Sequence, residues 1–223
     1  MIWNEYPDRD MLVLDLSDVL AASLNNALNT KDRITFAVPG GTTPGPVFDA
    51  LAQVHLPWDR VDIVLTDERW VPESSDRSNT ALLRRTLLKD AASAATLIPL
   101  VSDTTEPEES LDALTDGLKP HLPIDVLLIG MGADMHCASL FPGADRLHDA
   151  LANNAPPLMP MRAPGAPEPR ITLTAPILRG AMDTHILITG AEKKDAIHRA
   201  QKLRPEDAPV AAILDGAKVH YAD

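Results

Sequence analysis

The 223-residue sequence holds a single cysteine, Cys137. It therefore forms no internal disulfide and builds no cysteine-based zinc site, and a reducing, cytoplasmic setting is expected. No apolar run approaches the ~20 residues that a bilayer-spanning helix needs. The first ten residues carry Glu5, Asp8 and Asp10 rather than an apolar secretion segment, so no signal peptide is expected. Positive charge is scarce as well. Lys and Arg number 20 against 32 Asp and Glu, a net charge of −12, and such a surface repels nucleic acid and anionic membranes. No Gly-x-Ser-x-Gly elbow occurs, no glycine loop ends in Gly-Lys-Ser/Thr, and the seven histidines include no i, i+4 pair. Serine-hydrolase, Walker-type nucleotide and zinc-helix chemistry are thereby left without a motif. No repeat appears at a period of 20–50 residues.

What is present is an ordinary globular balance, 45% hydrophobic and 23% charged. Short β-branched runs alternate with longer amphipathic ones. Strands are predicted at Ile34–Val38, Val61–Leu65, Val126–Ile129, Ile171–Thr174, His185–Thr189 and Val219–Tyr221, with a weaker one at Thr96–Leu100. Several are apolar on both faces, as strands covered by helices on both sides are. Helices are predicted at Ser17–Leu28, Pro46–Gln53, Asn79–Leu88, Ser110–Leu118 and Ala191–Lys202, the first capped by Ser17 with Leu20, Leu24 and Leu28 on one face. This rhythm predicts a three-layer α/β fold with a mostly parallel sheet flanked by helices, in one domain spanning residues 1–223. Ala155–Arg170 contains six prolines and is expected to be a long surface loop.

Four segments could carry chemistry, each just past a predicted strand, where ligands sit in open parallel sheets. Gly40, Gly41, Thr42 and Thr43 follow Val38-Pro39 and precede a helix. A glycine pair lets backbone N–H groups approach an anion, and the threonines add hydroxyl donors. Thr66-Asp67-Glu68-Arg69 follows the next strand. Arg69 offers a planar fork for a phosphate, while Asp67 or Glu68 would orient it or accept hydroxyls. Gly130 to Gly143 follows the third and contains Asp134 two residues before His136. A carboxylate beside an imidazole fixes its tautomer and stabilises its charged form, and a histidine is suited to taking a proton from water near neutral pH. Cys137 beside His136 raises a thiol-nucleophile alternative, disfavoured because sequence neighbours project in different directions. Gly190-Ala191-Glu192-Lys193 opens the last long helix, where a lysine in the first turn opposes the dipole and suggests a nearby anion. Arg170, heading the Ile171–Thr174 strand, is a further candidate anion ligand.

Taken in order, these segments resemble the glucosamine-6-phosphate isomerase/6-phosphogluconolactonase family, over almost the whole chain. Gly40–Pro44 is similar to its glycine-glycine-Ser/Thr-Thr-Pro loop. Asp67–Pro72 with Ser78-Asn79 is similar to its Asp-Glu-Arg-x-Val-Pro segment, and Gly130–Gly143 to its Gly-x-Gly-x-Asp-Gly-His-Thr-Ala-Ser-Leu-Phe-Pro-Gly stretch. Arg170–Thr174 and Gly190–Lys193 match as well. The resemblance implies a modified Rossmann-like fold and hydrolysis of 6-phospho-D-glucono-1,5-lactone in the oxidative pentose phosphate pathway. His136 would be the base and Asp134 its orienting carboxylate. Gly40, Gly41, Thr42, Thr43, Asp67, Arg69, Arg170 and Lys193 would bind the substrate and its phosphate. It implies no metal or organic cofactor, a small sugar-phosphate as partner, no nucleic acid or membrane, and a monomer or weak homodimer. Two positions depart from the pattern: Met135 replaces glycine and Cys137 replaces threonine. A side chain at 135 is expected to crowd the substrate or strain the backbone, which keeps a non-catalytic sugar-phosphate sensor as the alternative. An aminosugar-phosphate deaminase is the less favoured relative, because Cys137–Pro142 lacks that enzyme's Asn-Glu pair.

Overall fold

The computed structural model describes residues 1–223. Chain order gives β1 (Ile2–Glu5), α1 (Arg9–Leu28), β2 (Ile34–Val38), α2 (Gly45–Leu51), β3 (Val61–Leu65) and β4 (Asp67–Arg69). Then come α3 (Asn79–Thr86), β5 (Thr96–Ile98), α4 (Leu111–Leu118), β6 (Val126–Gly130), α5 (Leu147–Leu151), β7 (Leu158–Met161) and β8 (Arg170–Leu173). α6 (Ala175–Arg179), β9 (Asp183–Thr189), α7 (Ala191–Ala200) and β10 (Lys218–Ala222) complete the chain.

Seven strands form the main sheet in the order β1-β10-β9-β6-β2-β3-β5, and every pairing in it is parallel. All five residues of β2 and of β3 are buried, so helices cover both faces, as the apolar runs predict. The core is one contiguous cluster of 56 buried apolar residues. Helix α1 has the length and mean hydropathy of a bilayer-spanning helix. Its leucines at 12, 16, 20, 24 and 28 are all buried, however, and it packs on α2, β2, β6 and β10 as a core helix with Asp10, Asp15 and Asp18 in its sequence.

The strand order reverses direction between β2 and β6. From β2 the chain moves outward through β3 to β5; from β6 it moves the other way through β9 and β10. The loops after β2 and β6 therefore leave in opposite directions and open a crevice at the carboxyl ends of the strands.

Four expectations are corrected here. The Ile171–Thr174 strand lies outside the parallel sheet: β8 joins a separate sheet, β4-β8-β7, with both pairings antiparallel. Periodicity reads a strand but not its partner, and β8 finds the free edge of β4, with Leu173 N–H donating to Thr66 C=O at 2.9 Å. The segment after β3 is accordingly a strand, β4, and not plain loop. Within the proline-rich stretch, Leu158–Met161 forms β7, containing Pro160; as an edge strand it tolerates the missing donor. Helix α1 starts at Arg9, eight residues before the expected Ser17, because Asp8 caps it through Oδ1 to Met11 N–H at 2.8 Å.

Candidate active site

The loop after β2 turns sharply at Gly41, whose φ of +85° favours glycine. The backbone N–H groups of Gly40, Gly41, Thr42 and Thr43 make no hydrogen bond within the protein, leaving donors for an anion. Gly40, Gly41 and Thr43 line a cleft of about 210 Å³. Thr42 does not: it faces an adjoining hollow with Arg9, Val13 and Thr189, because the turn that closes Gly45 N–H on Thr42 C=O at 3.2 Å rotates it away.

Strand β4 sorts its three residues by alternation. Asp67 and Arg69 line the cleft. Glu68 points the other way, is 1% exposed, and caps α3. Its carboxylate accepts from Asn79 N–H at 2.8 Å and Thr80 N–H at 2.7 Å, and from Arg69 N–H at 2.7 Å. Ser78 completes the cap by accepting from Ala81 N–H at 3.1 Å. Asp67 is held by Ser139, whose hydroxyl donates to Oδ2 at 2.5 Å, and faces Arg170 at 3.7 Å. Arg69 donates through Nη1 to Arg77 C=O at 2.5 Å while its Nε is buried and unpartnered. Arg170 also has a buried, unpartnered Nε. Burial holds its guanidinium below the usual arginine range, and the neighbouring Arg69 charge acts the same way.

Past β6, His136 Nδ1 lies 2.5 Å from Asp134 Oδ1, and the same oxygen accepts from His136 N–H at 3.2 Å. The pair folds over Gly132: a Cβ there would lie 2.2 Å from His136 Nδ1 and 2.4 Å from Asp134 Oδ1. Phe141 supports the imidazole with ring centroids 4.3 Å apart and also lies 5.5 Å from the Arg170 guanidinium. His136 lines the cleft; Asp134 stands behind it. Lys193, in the first turn of α7 after Gly190 at φ +87°, reaches the same cleft without an ion-pair partner, and burial lowers the basicity of its ammonium.

Of the ten residues singled out from the sequence, eight line this one cleft, Asp134 orients one of them, and Thr42 lies outside. Met135 has φ +67°, the strain expected of a side chain at that position. It packs against the core and does not line the cleft. Cys137 is fully buried, and burial pushes its thiol up to about 12; it is absent from the cleft lining, which removes the thiol alternative. Asn79 was legible only as a helix start and a motif member, yet it lines the cleft and is buried.

A parallel α/β sheet with a donor-rich, cation-lined crevice at its switch point defines a protein built to hold a small anion. The family model for glucosamine-6-phosphate isomerases/6-phosphogluconolactonase matches residues 7–221. The chain belongs to that family. A 6-phosphogluconolactonase of Mesorhizobium japonicum is 38% identical over 96% of this chain and 91% of its own. One of Neisseria meningitidis is 37% identical over 100% and 99%. The crystal structure of a 6-phosphogluconolactonase from Shewanella baltica superposes with a TM-score of 0.94 at 28% identity, covering 99% of this chain and 96% of that one. A monomeric glucosamine-6-phosphate deaminase shares the fold at 15% identity, with a TM-score of 0.79 over 99% of this chain and 97% of its own.

Proposed function

We propose that this chain hydrolyses 6-phospho-D-glucono-1,5-lactone to 6-phospho-D-gluconate in the oxidative pentose phosphate pathway, as a cytoplasmic monomer or weak homodimer acting as a single domain. The observation that carries the reading is one cleft holding both an oriented imidazole and a cationic cradle with unpartnered arginine donors.

The free N–H groups of Gly40, Gly41 and Thr43, with Arg69, Arg170 and Lys193, hold the 6-phosphate by directed and charge-assisted bonds. His136 donates Nδ1–H to Asp134, which leaves the Nε2 lone pair to take a proton from water. That water attacks the C1 carbonyl, and Asp134 stabilises the imidazolium formed. As the C1–O5 bond breaks, the imidazolium returns its proton to O5, and the ring opens to the hydroxy acid. A δ-lactone already opens in water, so a positioned base worth roughly 10²–10⁴-fold, with orientation, is sufficient.

Acid release from freshly made phosphogluconolactone, with spontaneous opening subtracted, tests the activity. A sensor would bind 6-phosphogluconate saturably and leave lactone decay unchanged. His136→Ala should lose roughly 10²–10⁴-fold in kcat with 6-phosphogluconate affinity retained; turnover near wild type would take His136 out of the reaction.

A further inference from the structure

Three buried side-chain polar atoms have no hydrogen-bond partner, and all three belong to residues of the cleft: Arg69 Nε, Arg170 Nε and Asn79 Oδ1. The two arginine atoms are donors, which a phosphate satisfies. Asn79 Oδ1 is an acceptor, and a phosphate dianion brings only acceptors. Asn79 is 2% exposed, so leaving that acceptor without a partner is costly. Its orientation is fixed by its other end. Nδ2 donates to Asp67 C=O at 3.0 Å; turned over, the amide would set two carbonyl oxygens against each other. Oδ1 consequently lies over Gly40, where a Cβ would stand 2.0 Å from it. Gly40 is thus the residue that makes room for this amide. Asp67, the carboxylate of the cleft, is already engaged by Ser139 and Thr66 hydroxyls and faces Arg170.

A phosphate supplies no donor, so the ligand group able to complete Oδ1 lies on the part of the ligand that is not phosphate. Given the proposed substrate, whose ring carries hydroxyls at C2, C3 and C4, we infer that Asn79 Oδ1 accepts a hydrogen bond from one ring hydroxyl. Asn79 is then a specificity-determining residue, reading the sugar while the arginines, Lys193 and the glycine loop read the charge. The inference rests on the proposed lactone hydrolysis, and its test is arranged to fail separately.

The test compares wild type, Asn79→Ala and Asn79→Asp on phosphogluconolactone and its 2-, 3- and 4-deoxy analogues. Wild type should lose about tenfold to a hundredfold in kcat/KM on one analogue. Asn79→Ala should show the same loss on the parent lactone and no discrimination against that analogue. Asn79→Asp keeps an acceptor oxygen, so it should keep the discrimination ratio whatever its overall rate. A merely structural role through the Asp67 carbonyl would instead lower all four substrates equally and leave the ratios of Asn79→Ala at wild-type values, which overturns the assignment. So does a wild type indifferent to all three deletions, a result that needs no variant to fold and is the one expected if a resident water completes Oδ1. A wild type that hydrolyses no lactone refutes the function alone; calorimetry with 6-phosphogluconate and its deoxy analogues then reads the Asn79 contact by binding, with the same two outcomes.

Discussion

Acidification should destabilise this protein through one buried imidazole outside the cleft. His220 sits mid-strand in β10, 2% exposed. Tyr6 donates its hydroxyl proton to Asp15 at 2.8 Å, so at the 2.9 Å contact with Tyr6 the His220 Nδ1 is the donor. Its Nε2 then accepts from His185 Nδ1 at 3.1 Å. A neutral ring satisfies this chain; a second proton would meet His185 head-on. Burial, aided by the His185 charge, pulls His220 down from 6.5 to about 4. The unfolded chain therefore binds more protons than the native one between pH 6.5 and 4, and stability falls as pH drops through that window. At 1.36 kcal/mol per unit, the full descent removes about 3 kcal/mol, a large share of the typical ~5–15 kcal/mol for a domain. Asp183 does not blur the measurement. Hydrogen bonds from His185, Lys218 and Ser23 hold its carboxyl below 3.8, so its contribution is lost only at lower pH. Urea unfolding at half-unit steps from pH 7 to 4, for wild type and His220→Gln, reads the effect. Wild type should show a slope steeper by nearly one proton across the window. Parallel slopes would refute the reasoning.

Three further outcomes follow from the packing. Glu68→Ala strips the N-terminus of α3 and orphans the Asn79 and Thr80 N–H groups, so urea unfolding should show a loss of at least about 2 kcal/mol; a neutral result would deny the cap. Cys137, its thiol raised to about 12 by burial, should resist iodoacetamide at pH 8 in the native protein and label fully in urea; rapid native labelling would contradict its burial. Gly40→Ala places a methyl 2.0 Å from Asn79 Oδ1 and should cost about 1–3 kcal/mol by overpacking, read as a lower Tm, together with a fall in kcat/KM.

Much of this was legible in sequence for a local reason. Strands buried on both faces read as near-continuous apolar runs, so β2, β3, β6 and β9 stand out, and the ligand loops follow them directly. What was hidden depends on partners distant in the chain. Strand β7 is masked by Pro160, permissible only because the strand lies at an edge, and β8 reads as a member of the wrong sheet because nothing local distinguishes antiparallel from parallel pairing. Strand β1 is four residues without clear alternation, recognisable only through its pairing with β10. Asn79 looks like an ordinary helix start until Gly40, 39 positions earlier, comes to rest against it.

The short strand β4 has a corollary for chain length. Because adjacent residues face opposite ways, Asp67, Glu68 and Arg69 serve two masters in strict turn: crevice, helix cap, crevice. Deleting Thr66, the one residue between Leu65 and Asp67, would shift those assignments, putting Glu68 and Trp70 where Asp67 and Arg69 face the crevice and burying the Arg69 guanidinium beneath α3. A change of length here is therefore expected to disable cleft and cap together, where a single substitution disturbs only one of them.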